Sequence, residues 1–241
     1  QKDTLDMDIK IPYTPRKHQA YLHKKISENR WNVLVCHRRF GKTVCMINHL
    51  IRSALLSKNK NPRYAYIAPT FKQAKSIAWD YMKQFTAKIP YTKFNETELR
   101  VDLPNGSRIT LLGSENSDGL RGIYLDGCVI DEYANVNERL FPEIIRPALS
   151  DRKGYCVFIG TPQGMNNNFY ELYQHAQGAD DWFNYKAKAS QTKIVDDEEL
   201  VKAKEVMGDK KYLQEFECDW IANIEGAVYS DVLAKMEDKK Q

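Results

Sequence analysis

Short, almost uninterrupted apolar runs recur along this chain, separated by longer stretches whose apolar residues return every three to four positions. Trp31-Asn32-Val33-Leu34-Val35, Arg63 to Ala68, Asp126-Gly127-Cys128-Val129-Ile130-Asp131 and Gly154-Tyr155-Cys156-Val157-Phe158-Ile159 are runs of the first kind, and Trp182 to Ala189 is a further strand candidate. Apolar residues at successive positions suit strands buried on both faces of a parallel sheet. Thr43 to Leu56 is of the second kind, with Val44, Ile47, Leu50, Ile51, Ala54 and Leu55 on one helical face. Helices are also predicted from Thr14-Pro15-Arg16 through Lys25, from Phe71 to about Lys88, from Glu138 to Leu149 across two prolines, and from Asn168 to His175. Strands alternating with helices predict an α/β domain with a mostly parallel sheet flanked by helices. Glu98 to Leu103 and Arg108 to Leu112 instead alternate apolar and polar residues around Pro104-Asn105-Gly106-Ser107, which predicts an antiparallel hairpin added to that sheet. At Asp196 the composition shifts. Asp196-Asp197-Glu198-Glu199 suits a helix N-terminus, and helical patterning continues toward Trp220. The chain is therefore divided into a core over residues 1–190 and a small lid or linker over 191–241, with a polar, loosely ordered start up to Lys10. There is no internal repeat and no low-complexity segment.

A length of 241 residues, 42% of them hydrophobic, fits one α/β domain with a small appendage. No apolar run approaches the ~20 residues of a membrane span, and no secretory signal opens the chain. The first residue is Gln, as in a trimmed or processed chain. Five cysteines, at 36, 45, 128, 156 and 218, lack C-x-x-C spacing and lie in apolar runs, which predicts reduced, buried thiols in a cytosolic protein. Five scattered histidines form no metal-ligand pattern. A net charge of +4 permits nucleic-acid contact without requiring it. Lys58, Lys60 and Arg63, and then Lys202, Lys204, Lys210 and Lys211, are basic clusters that suit either phosphate contact or a solvated face.

The candidate chemistry lies at the ends of the apolar runs. Cys36-His37-Arg38-Arg39-Phe40-Gly41-Lys42-Thr43 follows the pattern G-x-x-x-x-G-K-[ST], with Cys36 in place of the first Gly, and it joins a predicted strand to a predicted helix. In that setting backbone amides at the helix N-terminus wrap phosphates, Lys42 reaches the β- and γ-phosphates, and Thr43 holds Mg²⁺. Asp131-Glu132 closes the third run. Asp131 can hold Mg²⁺ through its water shell, and Glu132 can orient and polarise an attacking water. Gly160-Thr161-Pro162 closes the fourth. Ligands of open parallel sheets sit beyond the C-terminal strand ends, so Thr161 would lie beside the γ-phosphate and could sense it. A chance Gly-Lys-Thr or a plain Gly-Thr-Pro turn explains each element alone, but not their order together.

These motifs, with Leu120-Arg121-Gly122 ahead of the Asp-Glu strand and Gln214-Glu215-Phe216-Glu217-Cys218-Asp219 near the end, resemble the ATPase domain of tailed-bacteriophage terminase large subunits from about Tyr13 to about Tyr229. Cys36 departs from the small residue common at that loop position in the family. The resemblance implies a P-loop NTPase of RecA-like (ASCE) fold with a C-terminal lid. It implies ATP and Mg²⁺ as ligands, and ATP hydrolysis that powers translocation of double-stranded viral DNA into a procapsid. The implied partners are DNA, the portal protein and the small terminase subunit. The implied assembly is a homo-oligomeric ring, a pentamer on the procapsid, with a monomer as the state of the chain alone. The setting would be the host bacterial cytoplasm and, transiently, the procapsid, with no membrane. Gln19 matches a glutamine that reads adenine in this family and in helicase-like ATPases, or is an ordinary helix glutamine. Three arginines compete for the catalytic positive charge: Arg38 and Arg39 within the loop, or Arg121 acting as a finger in a neighbouring subunit's site. The family's large subunit continues into a nuclease, and the chain stops near where that would begin, so no nuclease activity is expected. A helicase-type translocase and a nucleotide-gated docking module are the alternative readings; the first usually needs two such domains in one chain, and the second has no use for Asp131-Glu132.

Overall fold

The computed structural model describes residues 10–115 and 120–221. Among them an eight-stranded sheet runs in the order β3-β4-β5-β2-β6-β7-β1-β8, where β1 is Trp31–Cys36, β2 Arg63–Ala68, β3 Lys93–Asn95, β4 Arg100–Asp102, β5 Arg108–Gly113, β6 Gly127–Asp131, β7 Tyr155–Gly160 and β8 Trp182–Ala187. From β5 to β8 all neighbours in that order are parallel, while β3 and β4 extend the edge antiparallel. The expected hairpin is β4–β5. Its partner β3 is an addition that the sequence pattern does not signal, because its side chains are mostly exposed.

Alternation along the central strands explains both layers. Leu34, Cys36, Tyr66, Val129, Val157 and Ile159 point into one buried cluster; Val33, Val35, Ile67, Ile130, Cys156 and Phe158 point into the other. Helices α1 (Lys17–Glu28) and α2 (Lys42–Leu56) cover the first face, as does the run of α3 (Phe71–Ala74), a π-turn over Lys75–Trp79, and α4 (Asp80–Thr86). The second face is covered by a π-turn over Phe141–Ile145 leading into α5 (Arg146–Ala148), and by α6 (Asn168–Gly178).

Three predicted helices are corrected. The one expected to reach Lys88 ends at Thr86, and the one expected from Glu138 to Leu149 shrinks to Phe141–Ala148. Pro142 and Pro147 lack the amides a regular α-helix needs there, and the irregular turn follows. The helix expected from Asp196 toward Trp220 is two, α8 (Asp197–Met207) and α9 (Asp209–Phe216), parted by Gly208 at φ 75° and preceded by the short α7 (Ala189–Thr192). Leu200, Phe216 and Ala189 form a small apolar cluster of their own there. The expected lid beyond residue 221, and the start of the chain before residue 10, lie outside the described residues.

All five cysteines are buried and free. Cys128 and Cys156, opposite each other on β6 and β7, are thiols 3.4 Å apart. The histidines have protein partners rather than metal-like groupings. His23 and His49 stack at 5.3 Å and share an Nδ1–Nδ1 hydrogen bond of 3.1 Å, while Tyr13 meets His23 Nε2 at 2.9 Å. Burial, with the nearby Arg52 charge, pushes His23 down to about 4; burial, then His23 and Arg52, pushes His49 down to about 3. An unfolded chain takes up these protons below about pH 6.5, while the folded one resists until pH nears those lower values. Stability is therefore full above about pH 6.5 and falls as the pH drops from there toward about 4 for His23 and about 3 for His49. Urea unfolding between pH 7 and pH 4 should show a loss of up to about 6 kcal/mol from this pair, about 3 from each histidine. His49→Gln should flatten the slope; an unchanged slope would trace the acid sensitivity to other groups.

Candidate functional site

β1, β7 and β6 lie side by side, and their C-terminal ends bring Cys36, Gly160 and Asp131 to one edge of the sheet. The loop after β1 turns back through left-handed backbone at Arg39 (φ 70°) and Gly41 (φ 86°) and enters α2. Cys36 is the last residue of β1 and is fully buried, so the loop's first position does not call for glycine; the positive φ falls later. Burial holds the Cys36 thiol well above its usual range, hence neutral.

Gly41 caps α2 without a side-chain hydrogen bond. The amides of the first helical turn, from Lys42 onward, therefore face outward with no intrahelical acceptor, and they carry the positive end of the helix dipole. Other loop amides are used internally: His37 N donates to Ala187 O at 3.0 Å, Arg38 N to Glu215 O at 2.8 Å, and Phe40 N to His37 O at 3.3 Å. The His37 ring is fixed by the Arg38 carbonyl at 2.6 Å and by Thr192 at 2.8 Å. Phe40 is fully buried. The loop is thus a braced cradle open on one side.

Into that side reaches Lys42. Its Nζ donates to Thr161 Oγ1 at 2.9 Å and stands 3.7 Å from Glu132 Oε1. Thr161 in turn donates to the Cys36 carbonyl at 3.3 Å. Asp131 is buried; its Oδ1 accepts the Glu132 amide at 2.9 Å, and its Oδ2 accepts the Tyr66 hydroxyl. Glu132 sits in left-handed backbone (φ 48°), which turns its side chain out of the strand toward Lys42. Burial raises the Glu132 carboxyl above its ordinary range, with Asp131 and Glu215 adding to the effect against the pull of Lys42. Gly160 permits the close approach of Phe169 and Tyr133: an added Cβ would stand 3.1 Å from the Phe169 ring.

A cleft of about 240 Å³ is lined by Arg39, Phe40, Gly41, Lys42, Thr43, Val44, Ile77, Tyr81, Asp131 and Glu132. A larger groove of about 640 Å³ between α1 and α2 is mostly apolar and lacks the loop, lysine and carboxylates, so chemistry rather than size selects the smaller one. The cleft's oxygen donors, the Thr43 hydroxyl and the Asp131 carboxylate, are hard ligands suited to Mg²⁺. No cluster of three or more His, Cys, Asp or Glu arranged for a metal occurs among the described residues.

The structure brings together the phosphate-loop residues, Asp131, Glu132 and Thr161. Pro162 lies beside them, its carbonyl accepting Gln214 Nε2 at 2.7 Å. Of the arginines, exposed Arg39 lines the cleft. Arg38 turns to α9, 3.9 Å from Glu215. Arg121 is not among the lining residues and ion-pairs with Glu143 at 3.4 Å. Gln19 is buried beside the loop, with its amide oxygen accepting the Arg16 amide at 3.0 Å and its nitrogen donating to the Gly41 carbonyl at 3.3 Å. It braces the loop in this state, and reading a base would require exchanging those bonds.

Tyr66, Ile77, Tyr81, Gln214 and Glu215 are at or beside the cleft and were not foreseen as site residues. Signals existed for three of them: a tyrosine inside a buried strand needs a partner for its hydroxyl, and Gln214 and Glu215 open the motif near the end of the chain.

The family model described as "Terminase large subunit, T4likevirus-type, N-terminal" matches residues 35–231. The terminase large subunit of Thermus phage G20c is 26% identical over 182 residues, and that of Thermus virus P23-45 is equally similar; in both cases the match covers 68% of this chain and 36% of the relative. The chain thus spans about a third of the length of the curated relatives it matches. Among solved structures, the Thermus phage P74-26 large terminase ATPase domain superposes with a TM-score of 0.73 at 21% identity, over 88% of this chain and 96% of that one. The large terminase of the thermophilic bacteriophage D6E in complex with ADP gives 0.74 at 16% identity, over 85% and 53%.

Proposed function

Because this chain belongs to the terminase large subunit family, matching its N-terminal region, we propose that it binds and hydrolyses ATP in the cleft at the ends of β1, β6 and β7, and that hydrolysis drives double-stranded DNA into a procapsid. The observation that carries the reading is the convergence of Lys42, Thr43, Asp131, Glu132 and Thr161 around an uncapped helix N-terminus. The amides of the first α2 turn bind the phosphate oxygens, and Lys42 leaves Glu132 and Thr161 to meet the β- and γ-phosphates. Thr43 and Asp131 would hold Mg²⁺, which supplies charge neutralisation at those phosphates. Released from Lys42, Glu132 accepts a hydrogen bond from the attacking water and aims it in line with the γ-phosphorus. Its raised proton affinity makes it a better acceptor than an exposed carboxylate.

Thr161 couples the site to the rest of the chain. Its hydroxyl joins Lys42 to the end of β1, and the next residue, Pro162, is held by Gln214 of α9. The same helix carries Glu215, whose carbonyl holds the Arg38 amide. A shift of Lys42 on γ-phosphate binding or release therefore reaches α9 through two short links, which supports the described residues from 191 to 221 as part of a lid. Partners follow from the family: the portal protein, the small terminase subunit, DNA, and further copies of the chain in a ring, a pentamer on the procapsid. Action in the host cytoplasm and on the procapsid is part of the same reading; among the described residues no helix is long and apolar enough to cross a membrane.

The test is phosphate release from ATP with Mg²⁺. The chain should release phosphate, and Lys42→Ala should lose both release and tight nucleotide binding while still folding, as its circular dichroism and a cooperative thermal transition would check. Equal release by Lys42→Ala would move the site elsewhere.

A further inference from the structure

The tyrosines on the α2 face of the sheet divide by what they bond. Tyr64 donates to the Ser53 carbonyl at 3.1 Å, and Tyr155 to the Ser53 hydroxyl at 3.0 Å, both neutral groups of α2 at the far end from the phosphate loop. Tyr66, two residues along β2 and fully buried, donates instead to Asp131 Oδ2, a carboxylate that lines the cleft. Asp131 Oδ1 is held separately by the Glu132 amide. One phenol and one amide therefore hold both oxygens of the carboxylate that suits the cation.

We propose that Tyr66 is a positioning residue for the divalent cation: it gives its proton to Asp131 and so holds that carboxylate charged and turned to the cleft. The inference rests on reading the cleft as a Mg²⁺–nucleotide site. The hydrogen-bond directions fit that role. A carboxylate that ligates through metal-bound water must keep its charge and its plane, and two donors behind it, one phenolic and one amide, fix both. Tyr66 stands beside β6 in the sheet, opposite Val129, so its ring is locked between strand neighbours and its hydroxyl position is set by the fold rather than by a flexible stem. A merely structural tyrosine would be satisfied by a carbonyl, as Tyr64 is.

The test is equilibrium binding of a fluorescent ADP analogue to the whole chain, titrated with MgCl₂ and repeated in EDTA. With Tyr66→Phe, affinity in EDTA should stay within about twofold of the unsubstituted chain, while the Mg²⁺ concentration giving half of the metal-dependent gain should rise roughly 10- to 100-fold, the range for loss of an outer hydrogen bond to a ligand. An unchanged Mg²⁺ midpoint overturns the inference and leaves the cleft reading standing. So does an equal loss in EDTA and in Mg²⁺, which would mark a packing role. If the unsubstituted chain binds the nucleotide with no Mg²⁺ dependence, or not at all, the cleft reading falls and the inference with it. Thermal unfolding in EDTA checks the fold, and Tyr66→Met, a flexible filler without a donor, supplies the same comparison should the phenylalanine variant not fold.

Discussion

Glu132→Ala should lower ATP turnover by roughly 10²- to 10⁴-fold and leave Mg²⁺–nucleotide binding intact or slightly tighter. The second half of that expectation follows from charge. Glu132 lies 3.7 Å from the Lys42 ammonium and within the same cleft as Asp131. An incoming polyphosphate must displace it from Lys42 and tolerate its negative charge nearby, so removing the carboxylate removes a repulsion. The first half follows from geometry. Left-handed backbone at Glu132 swings its side chain into the cleft while Asp131 stays in the strand, so adjacent carboxylates take different roles. Because burial raises Glu132, the acid side of the pH–turnover curve should lie above the range of an ordinary carboxylate: the base must be ionised, and it gains its proton sooner as pH falls. Single-turnover hydrolysis and nucleotide binding, measured on the same preparation across pH, check both parts. Turnover retained by the variant would assign water activation to another group.

The readable parts of this chain are those in which one local pattern is enough. β1, β2, β6 and β7 are apolar on both faces, and their boundaries follow within a residue or two. The phosphate loop carries its chemistry in consecutive residues, and Cys36 proves no exception once the positive φ is seen at Arg39 and Gly41. What was hidden depends on distant partners. Tyr66 meets Asp131 across 65 positions, and Arg38 is turned from the cleft by Glu215, on a helix that sequence patterning ran together with its neighbour. Gly208 breaks that helix through backbone conformation rather than hydrophobicity. For Gln19 the sequence leaves a base reader and an ordinary helix glutamine open; its burial and its bond to the Gly41 carbonyl come from a loop 22 positions away. The exposed edge strand Lys93–Asn95 has no pattern at all, since its pairing with β4 comes from backbone hydrogen bonds.

Arg121→Ala should lower turnover by roughly 10³-fold or more, yet leave the chain's own cleft undisturbed. In-line attack on the γ-phosphate needs positive charge near the leaving oxygen. Within one chain Arg39 lines the cleft, whereas Arg121 lies away from it, half exposed and paired with Glu143, which Arg139 also holds at 2.7 Å. Such an exposed pair contributes little to stability, so the side chain can exchange Glu143 for a phosphate presented by a neighbour. Two consequences separate this from catalysis by Arg39 in its own chain. Hydrolysis per chain should rise with protein concentration, because a finger acting in trans needs contact between chains. Arg121→Ala and Glu132→Ala, each inactive alone, should regain activity when mixed, since an Arg121→Ala chain keeps an intact cleft and a Glu132→Ala chain keeps an intact finger. Catalysis by Arg39 in its own chain predicts neither effect: the rate would be flat with concentration, Arg121→Ala would stay active so that mixing brings no gain over the separate chains, and Arg39→Ala would carry the loss instead. The mixing experiment is the sharper of the two, because contact between chains can raise activity by ordering a loop, but it restores a dead mixture only when one chain completes another's site.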